Sequence, residues 1–207
     1  MRTYYYISCF LIRVFLKIFW RYKRIGTEHI PKNGGVIIAS NHAAYVDPPF
    51  IGSVCPRELS YLAKAELFSH PLFGWLIRKY NAIPIARGAF DRRAITQAIR
   101  LLKEGRALLL FPEGTRSREG NFLEPKLGVG MIACEAGVPI VPTYISNSSD
   151  LLDCFLKGRR LVIGFDIPIE KDWLARVPKN KEGYKIIGQE IMNRIGRLKD
   201  KIEKERF

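Results

Sequence analysis

The first 24 residues contain no acid, and acids are scarce throughout. Twenty Asp and Glu stand against 34 Lys and Arg, leaving a net charge of +14. That imbalance calls for an anionic partner: nucleic acid, a lipid surface or an acidic substrate. Cysteine and histidine are few. Cys9, Cys55, Cys134 and Cys154 show no CxxC spacing and no histidine pairing, which argues against zinc and reads as reduced thiols of a cytosolic compartment. His29 and His70 lack a metal-ligand pattern too. His70 precedes Pro71 in a turn, and both histidines read as structural. No Ser or Cys occupies a nucleophile elbow. Internal repeats and low-complexity linkers are also missing. The longest uncharged run near the start, residues 3–12, falls short of the roughly 20 residues that span a bilayer. No small-residue cleavage site follows it, so a signal peptide is not expected.

Apolar residues, by contrast, make up 47% of the 207 positions, enough for one domain with a sizeable core rather than a disordered chain. Within residues 1–24, Arg13, Lys17, Arg21 and Arg24 recur every three or four positions among Phe, Trp, Tyr, Leu and Ile. On a helix these cations form one stripe. A basic stripe on an aromatic, apolar helix is the pattern of a segment lying in a membrane interface; a core-docked helix with a solvated basic edge is the other reading. Interface docking is the expectation adopted, with residues 1–24 as an amphipathic helix and 25–207 as the main domain. The expected location is the cytoplasmic face of a membrane, peripheral or monotopic, with an anionic membrane surface as partner. Because the basic residues sit on an apolar helix rather than interleaving with aromatics over one surface, lipid is favoured over nucleic acid.

From Gly26 onward strand and helix signals alternate. Strands are expected at 36–39, 58–64, 83–86, 107–111 and 140–145, with a late one of open direction at 161–169. Helices are expected at 66–80, 91–104 and 127–136, and a charged C-terminal helix carries Tyr184, Ile187, Ile191, Ile195, Leu198 and Ile202 on one face. Residues 147–157 read as the longest loop. Strands joined by helical crossovers argue for an α/β fold with a mostly parallel central sheet flanked by helices.

The chemistry concentrates in two stretches. In residues 34–50, GGVIIASNHAAYVDPPF, a buried strand ends at His42 and Asp47 opens a helix as its cap, with Pro48 at the first helical position. Beyond the carboxyl ends of strands is where open α/β sheets bind ligands. A carboxylate beside an imidazole fixes its tautomer and stabilises the imidazolium, as a general base requires; a surface His beside an ordinary helix cap is the plain alternative. In residues 111–117, FPEGTRS, Gly114 allows a tight turn after a strand. Arg116 offers a planar fork for phosphate or carboxylate, and Glu113 can accept from a hydroxyl or hold that Arg.

With IPIARG at 83–88 and VPIVPTYIS at 138–146 in the same order, the chain resembles the glycerolipid acyltransferase family over about residues 30–146. The resemblance implies transfer of a fatty acyl group from acyl-CoA or acyl carrier protein to a lysophospholipid acceptor, lysophosphatidic acid, giving phosphatidic acid, with no metal or bound cofactor. It assigns His42 and Asp47 to catalysis, and Glu113 and Arg116 to the acceptor together with Arg87; Gly114 and Thr115 complete that block. Lys64 and Lys126 are further cations for the acceptor's phosphate. Phe68, Leu72, Phe73, Trp75, Leu76 and Ile77 are candidates for an acyl channel or for core. Ala44 and Ala86 stand where the family often has Ser and an acid, which leaves open the choice among lysophosphatidic acid, glycerol 3-phosphate and another lysophospholipid. A thioesterase would need no phosphate-binding Arg, so FPEGTRS weighs against one.

Overall fold

The computed structural model describes residues 3–86, 91–117 and 121–205. Its frame is a seven-stranded sheet in the order β1-β7-β6-β2-β5-β3-β4, formed by β1 Lys23–Ile25, β2 Val36–Ser40, β3 Leu59–Lys64, β4 Ala82–Ile85, β5 Ala107–Leu110, β6 Ile140–Ile145 and β7 Val162–Phe165. From β6 to β4 all neighbours are parallel. β7 runs antiparallel to β6, and β1 parallel to β7. The helices are α1 Thr3–Trp20, α2 Asp47–Val54, α3 Pro71–Lys79, α4 Arg92–Lys103, α5 Leu127–Ala136, α6 Leu151–Leu156, α7 Lys171–Ala175 and α8 Lys181–Lys204.

The alternation of side chains along β2 explains the layering. Ile37 and Ala39 enter one core with α4, α5 and α8, while Val36 and Ile38 enter the other with Leu16 of α1 and Phe50, Ile51 and Val54 of α2. All five β2 residues are buried, as a central parallel strand covered on both faces requires.

Four expectations need correction. The helix expected over 66–80 is a 3₁₀ turn, Ala65–Phe68, followed by α3; Pro71 bars its predecessor from helical geometry, and His70 Nδ1 instead accepts from Phe73 N to cap α3. The loop expected at 147–157 contains α6, capped by Asp150, which accepts from Asp153 N. The N-terminal helix stops at Trp20, where Arg21 takes a left-handed φ of 43°, and Arg24 belongs to β1, so the helix itself carries only Arg13 and Lys17 of the proposed stripe. The sheet thus begins at Lys23, inside the segment assigned to the N-terminal helix.

That helix is also docked. Tyr5, Cys9 and Leu16 are buried; Tyr5 Oη accepts from Leu59 N and shares a hydrogen bond with Tyr61 Oη. The opposite face is not a solvated basic edge, because Phe10, Leu11, Val14, Phe15, Ile18 and Phe19 are all exposed there.

Candidate active site

His42 leaves the carboxyl end of β2, and the loop behind it closes on Asp47. One carboxylate oxygen, Oδ2, gathers His42 Nδ1 at 2.8 Å, Ala43 N at 2.7 Å and Ala44 N at 2.8 Å. Asp47 is therefore the first helical residue rather than the cap, and Pro48 the second. The carboxylate turns back to organise the His42 loop instead of closing the helix end. Asp47 is fully buried, and its other oxygen, Oδ1, has no partner among the described residues. An anion in this setting holds Nδ1 as the protonated nitrogen, which leaves Nε2 as the basic one.

The second motif grips the same histidine. The Phe111 ring stacks on the imidazole with centroids 4.0 Å apart. Glu113 Oε1 accepts from His42 N at 3.1 Å, and Ser117 N donates to His42 O at 2.8 Å. FPEGTRS thus fixes both backbone polar groups of His42 and one face of its ring. Gly114, at φ 67°, makes the turn between these contacts, and an added Cβ would meet Lys126 Cγ at 2.9 Å. A contact that sequence reading missed anchors the neighbouring residue. The Asn41 amide donates to Ile145 O at 3.1 Å and accepts from Ile145 N at 2.9 Å, tying the end of β2 to the end of β6. A buried amide that satisfies both groups of one distant residue fixes the loop's origin.

Glu113 is turned inward. Its side chain is fully buried, with Oε2 accepting from Leu123 N at 2.9 Å. Burial pushes its carboxyl above the usual glutamate range. Each oxygen accepts from a backbone N–H, and one of these bonds ties Glu113 to the position of His42. Glu113 does not pair with Arg116, whose guanidinium lies 3.6 Å from the centroid of the Tyr45 ring. Tyr45 is 74% exposed, which puts that guanidinium at the open rim of the His42 loop, beside exposed Thr115. Lys64, at the carboxyl end of β3, pairs with Glu66 at 3.1 Å. Arg87 lies outside the described residues. The expected acyl-channel residues are not core: Leu72, Phe73, Trp75 and Leu76 of α3 are exposed.

Comparison with known proteins points one way. The family model described as Acyltransferase matches residues 21–146. The 1-acyl-sn-glycerol-3-phosphate acyltransferase of Bacillus subtilis is 31% identical over 194 residues, covering 93% of this chain and 95% of that protein. The lyso-ornithine lipid O-acyltransferase of Pseudomonas aeruginosa is 42% identical over 113 residues, 54% of this chain and 43% of that protein. Among solved structures, the 1-acyl-sn-glycerophosphate (LPA) acyltransferase PlsC from Thermotoga maritima superposes with a TM-score of 0.72 at 30% identity, covering 93% of this chain and 78% of that one.

Proposed function

The chain belongs to the acyltransferase family, and from that premise we propose that it acylates the free hydroxyl of lysophosphatidic acid to give phosphatidic acid. The observation that carries the reading is the buried His42–Asp47 pair, locked by the second motif, with Arg116 at the rim of the same loop. His42 Nε2 takes the proton of the acceptor hydroxyl as its oxygen attacks the thioester carbonyl. The tetrahedral oxyanion then collapses, the C–S bond breaks, and the thiolate leaves with the proton carried by the imidazolium. Asp47 stabilises that imidazolium throughout. General-base catalysis of this kind supplies about 10²–10⁴-fold, and positioning supplies much of the rest. No Ser or Cys nucleophile is required, so transfer is direct. The thioester comes from acyl-CoA or acyl carrier protein.

Arg116 is the proposed ligand of the acceptor's phosphate, with Arg87 and Lys64 as supporting cations. The acceptor is a lipid, and the outer face of α1 presents the apolar surface that would meet a bilayer. Its membrane partner is therefore an anionic phospholipid surface, approached peripherally.

One observation favours a second acceptor. The relative that acts by name on a lyso-ornithine lipid is 42% identical over the stretch it shares. Release of the donor thiol, measured with lysophosphatidic acid, glycerol 3-phosphate and lyso-ornithine lipid, separates these acceptors. In the same assay Arg116→Lys should raise KM for lysophosphatidic acid sharply, because Lys keeps the charge but loses the bidentate fork. If a phosphate-free acceptor reacts as well and Arg116→Lys treats both alike, Arg116 does not read phosphate and the acceptor assignment fails.

A further inference from the structure

Exposed apolar side chains also gather on α6, away from the catalytic loop's own residues. Leu152, Phe155 and Leu156 are 69%, 49% and 72% exposed. Their spacing of three and four residues places them on one face, while Cys154 is the helix's buried residue. A helix this short does not stand by itself in water. α1 holds it: Trp20 Nε1 donates to Leu151 O at 2.7 Å, and the Phe19 and Phe155 rings lie 6.2 Å apart. The apolar face of α6 therefore continues the exposed face of α1.

Position and charge say what would cover this face. The chain reaches α6 from the carboxyl end of β6, where Ile145 is tied to Asn41, the neighbour of His42. α6 thus stands at the same edge of the sheet as the catalytic loop. Directly after it, Arg159 and Arg160 join Arg21 in lining a recess of about 560 Å³. Arg21 donates to Gly158 O at 2.9 Å, which pins its left-handed backbone to the α6 turn. Acids lie here too. Asp150 caps α6, Asp153 pairs with Lys157 and Arg159, and Glu203 accepts from Tyr144 Oη at 3.0 Å. Arg160 has no acidic partner among the described residues. An apolar helix face bordered by arginine forks complements acyl chains below and phosphodiesters above.

We propose that α6 and its arginine border form a second membrane-docking element, which with α1 seats the carboxyl edge of the sheet on an anionic phospholipid bilayer and brings the His42 loop to the lipid. The inference rests on the lysolipid reading given above. A surface that held the bilayer only through α1 would leave the catalytic edge free to swing away from its acceptor. A face that runs from α1 onto α6 extends the contact to that edge and fixes the tilt.

The test uses the full chain, with Leu152, Phe155 and Leu156 all changed to Ser and, as a milder variant, Leu156→Asn alone. Cosedimentation with vesicles of phosphatidylglycerol and phosphatidylcholine should show the triple variant partitioning at least about tenfold more weakly than wild type, as loss of three apolar side chains from lipid requires. Leu156→Asn should lose a few-fold, which keeps the test decisive if the triple variant melts early. Arg160→Gln should weaken binding only to the phosphatidylglycerol vesicles and only at low salt. A fluorophore on Phe155→Cys should shift to the blue when vesicles are added. Turnover on a short-chain, water-soluble lysophosphatidic acid should stay at the wild-type value in every α6 variant. Unchanged partition of the α6 variants with an unshifted fluorophore would overturn the α6 proposal and leave the acyl-transfer reading standing. Wild type that acylates the soluble acceptor but does not bind vesicles would overturn docking as a whole. Self-association of wild type that the triple variant abolishes, with vesicle partition unchanged, would make this face a contact between copies and overturn the lipid assignment. Loss of turnover on every acceptor by wild type would instead sink the acyl-transfer reading on which docking depends.

Discussion

His42 is gripped through its ring by Asp47 and Phe111 and through its backbone by Glu113 and Ser117, so substitutions around it separate chemistry from positioning. His42→Ala removes the proposed base, and turnover should fall by about 10²–10⁴-fold with the melting temperature nearly kept; a variant retaining more than about a tenth of wild-type turnover would rule out the general-base role. Asp47→Asn is expected to affect both quantities. An amide oxygen can still accept from the Ala43 and Ala44 amides, but the charge that stabilises the imidazolium is gone. Its NH₂ would also take the place of Oδ1, which has no hydrogen-bond partner among the described residues, and a buried donor left unsatisfied costs about 1–3 kcal/mol. Glu113→Gln turns a donor toward Leu123 N and should lower turnover by loosening His42, with little change in KM for the acceptor. Its pH dependence carries a sign. Burial raises the Glu113 pKa, so the folded state holds its proton to higher pH than the unfolded chain does. The group's contribution to stability is then fully favourable below the unfolded value and declines as pH rises from that value through the folded one. The stability of wild type relative to Glu113→Gln should therefore fall with rising pH over that window, as read from denaturation midpoints. A difference that rose with pH would mean that the hydrogen bonds outweigh desolvation.

At the level of elements, α5 and α8 pack closely at Gly130. A Cβ on Gly130 would lie 1.9 Å from Tyr184 O, so Gly130→Ala must push two helices apart. Overpacking of this kind costs about 1–3 kcal/mol, to be seen as a lower urea midpoint; an unchanged midpoint would show that α8 shifts freely. What the sequence revealed and what it hid follow from where each signal lives. β2, β5, β6, α4 and α5 carry their signal in short-range pattern, as apolar runs or 3.6-residue periodicity closed by a Gly or an Asp, and they are where expected. β1 is three residues, Lys-Arg-Ile, with no apolar run; it exists because β7 offers it an edge. α6 is six residues long, too short for periodicity to register, and depends on α1. The two motifs were legible as chemistry, yet their mutual grip was not. Nothing in FPEGTRS announces that Glu113 is buried against the backbone of a residue 71 positions earlier. Asp47 before Pro48 does read as a cap, and only the fold shows its carboxylate facing the other way. The cation stripe failed for a similar reason: spacing holds only while the helix does, and α1 ends before Arg21.

The molecule as a whole has a direction. The His42 loop, the FPEGTRS turn, Lys64 and α6 all lie at the carboxyl edge of the parallel strands. α1 crosses from the amino end of β3, where Tyr5 meets Leu59, to α6 at that edge, where Trp20 meets Leu151, with its apolar face outward. A net charge of +14 surrounds this arrangement. Long-range attraction to an anionic bilayer is screened over about 10 Å at 0.1 M salt and about 3 Å at 1 M, whereas the proposed burial of Phe10, Phe15 and Phe155 in lipid would not be. Salt should therefore act on arrival more than on catalysis. With a long-chain acceptor held in anionic vesicles, rising salt is expected to raise the apparent KM several-fold, with kcat unchanged at saturating vesicles. With a short-chain acceptor free in solution, the same salt should change KM far less, since only the proposed contacts of Arg116 and its supporting cations with phosphate are then exposed to screening. Replacing Phe10 and Phe15 by Ser should weaken vesicle binding at every salt concentration, because it removes the unscreened part. Equal salt sensitivity for the two acceptors would place the governing charge in the active site, and the bilayer would then be a passive reservoir of substrate rather than the surface on which this edge of the sheet works.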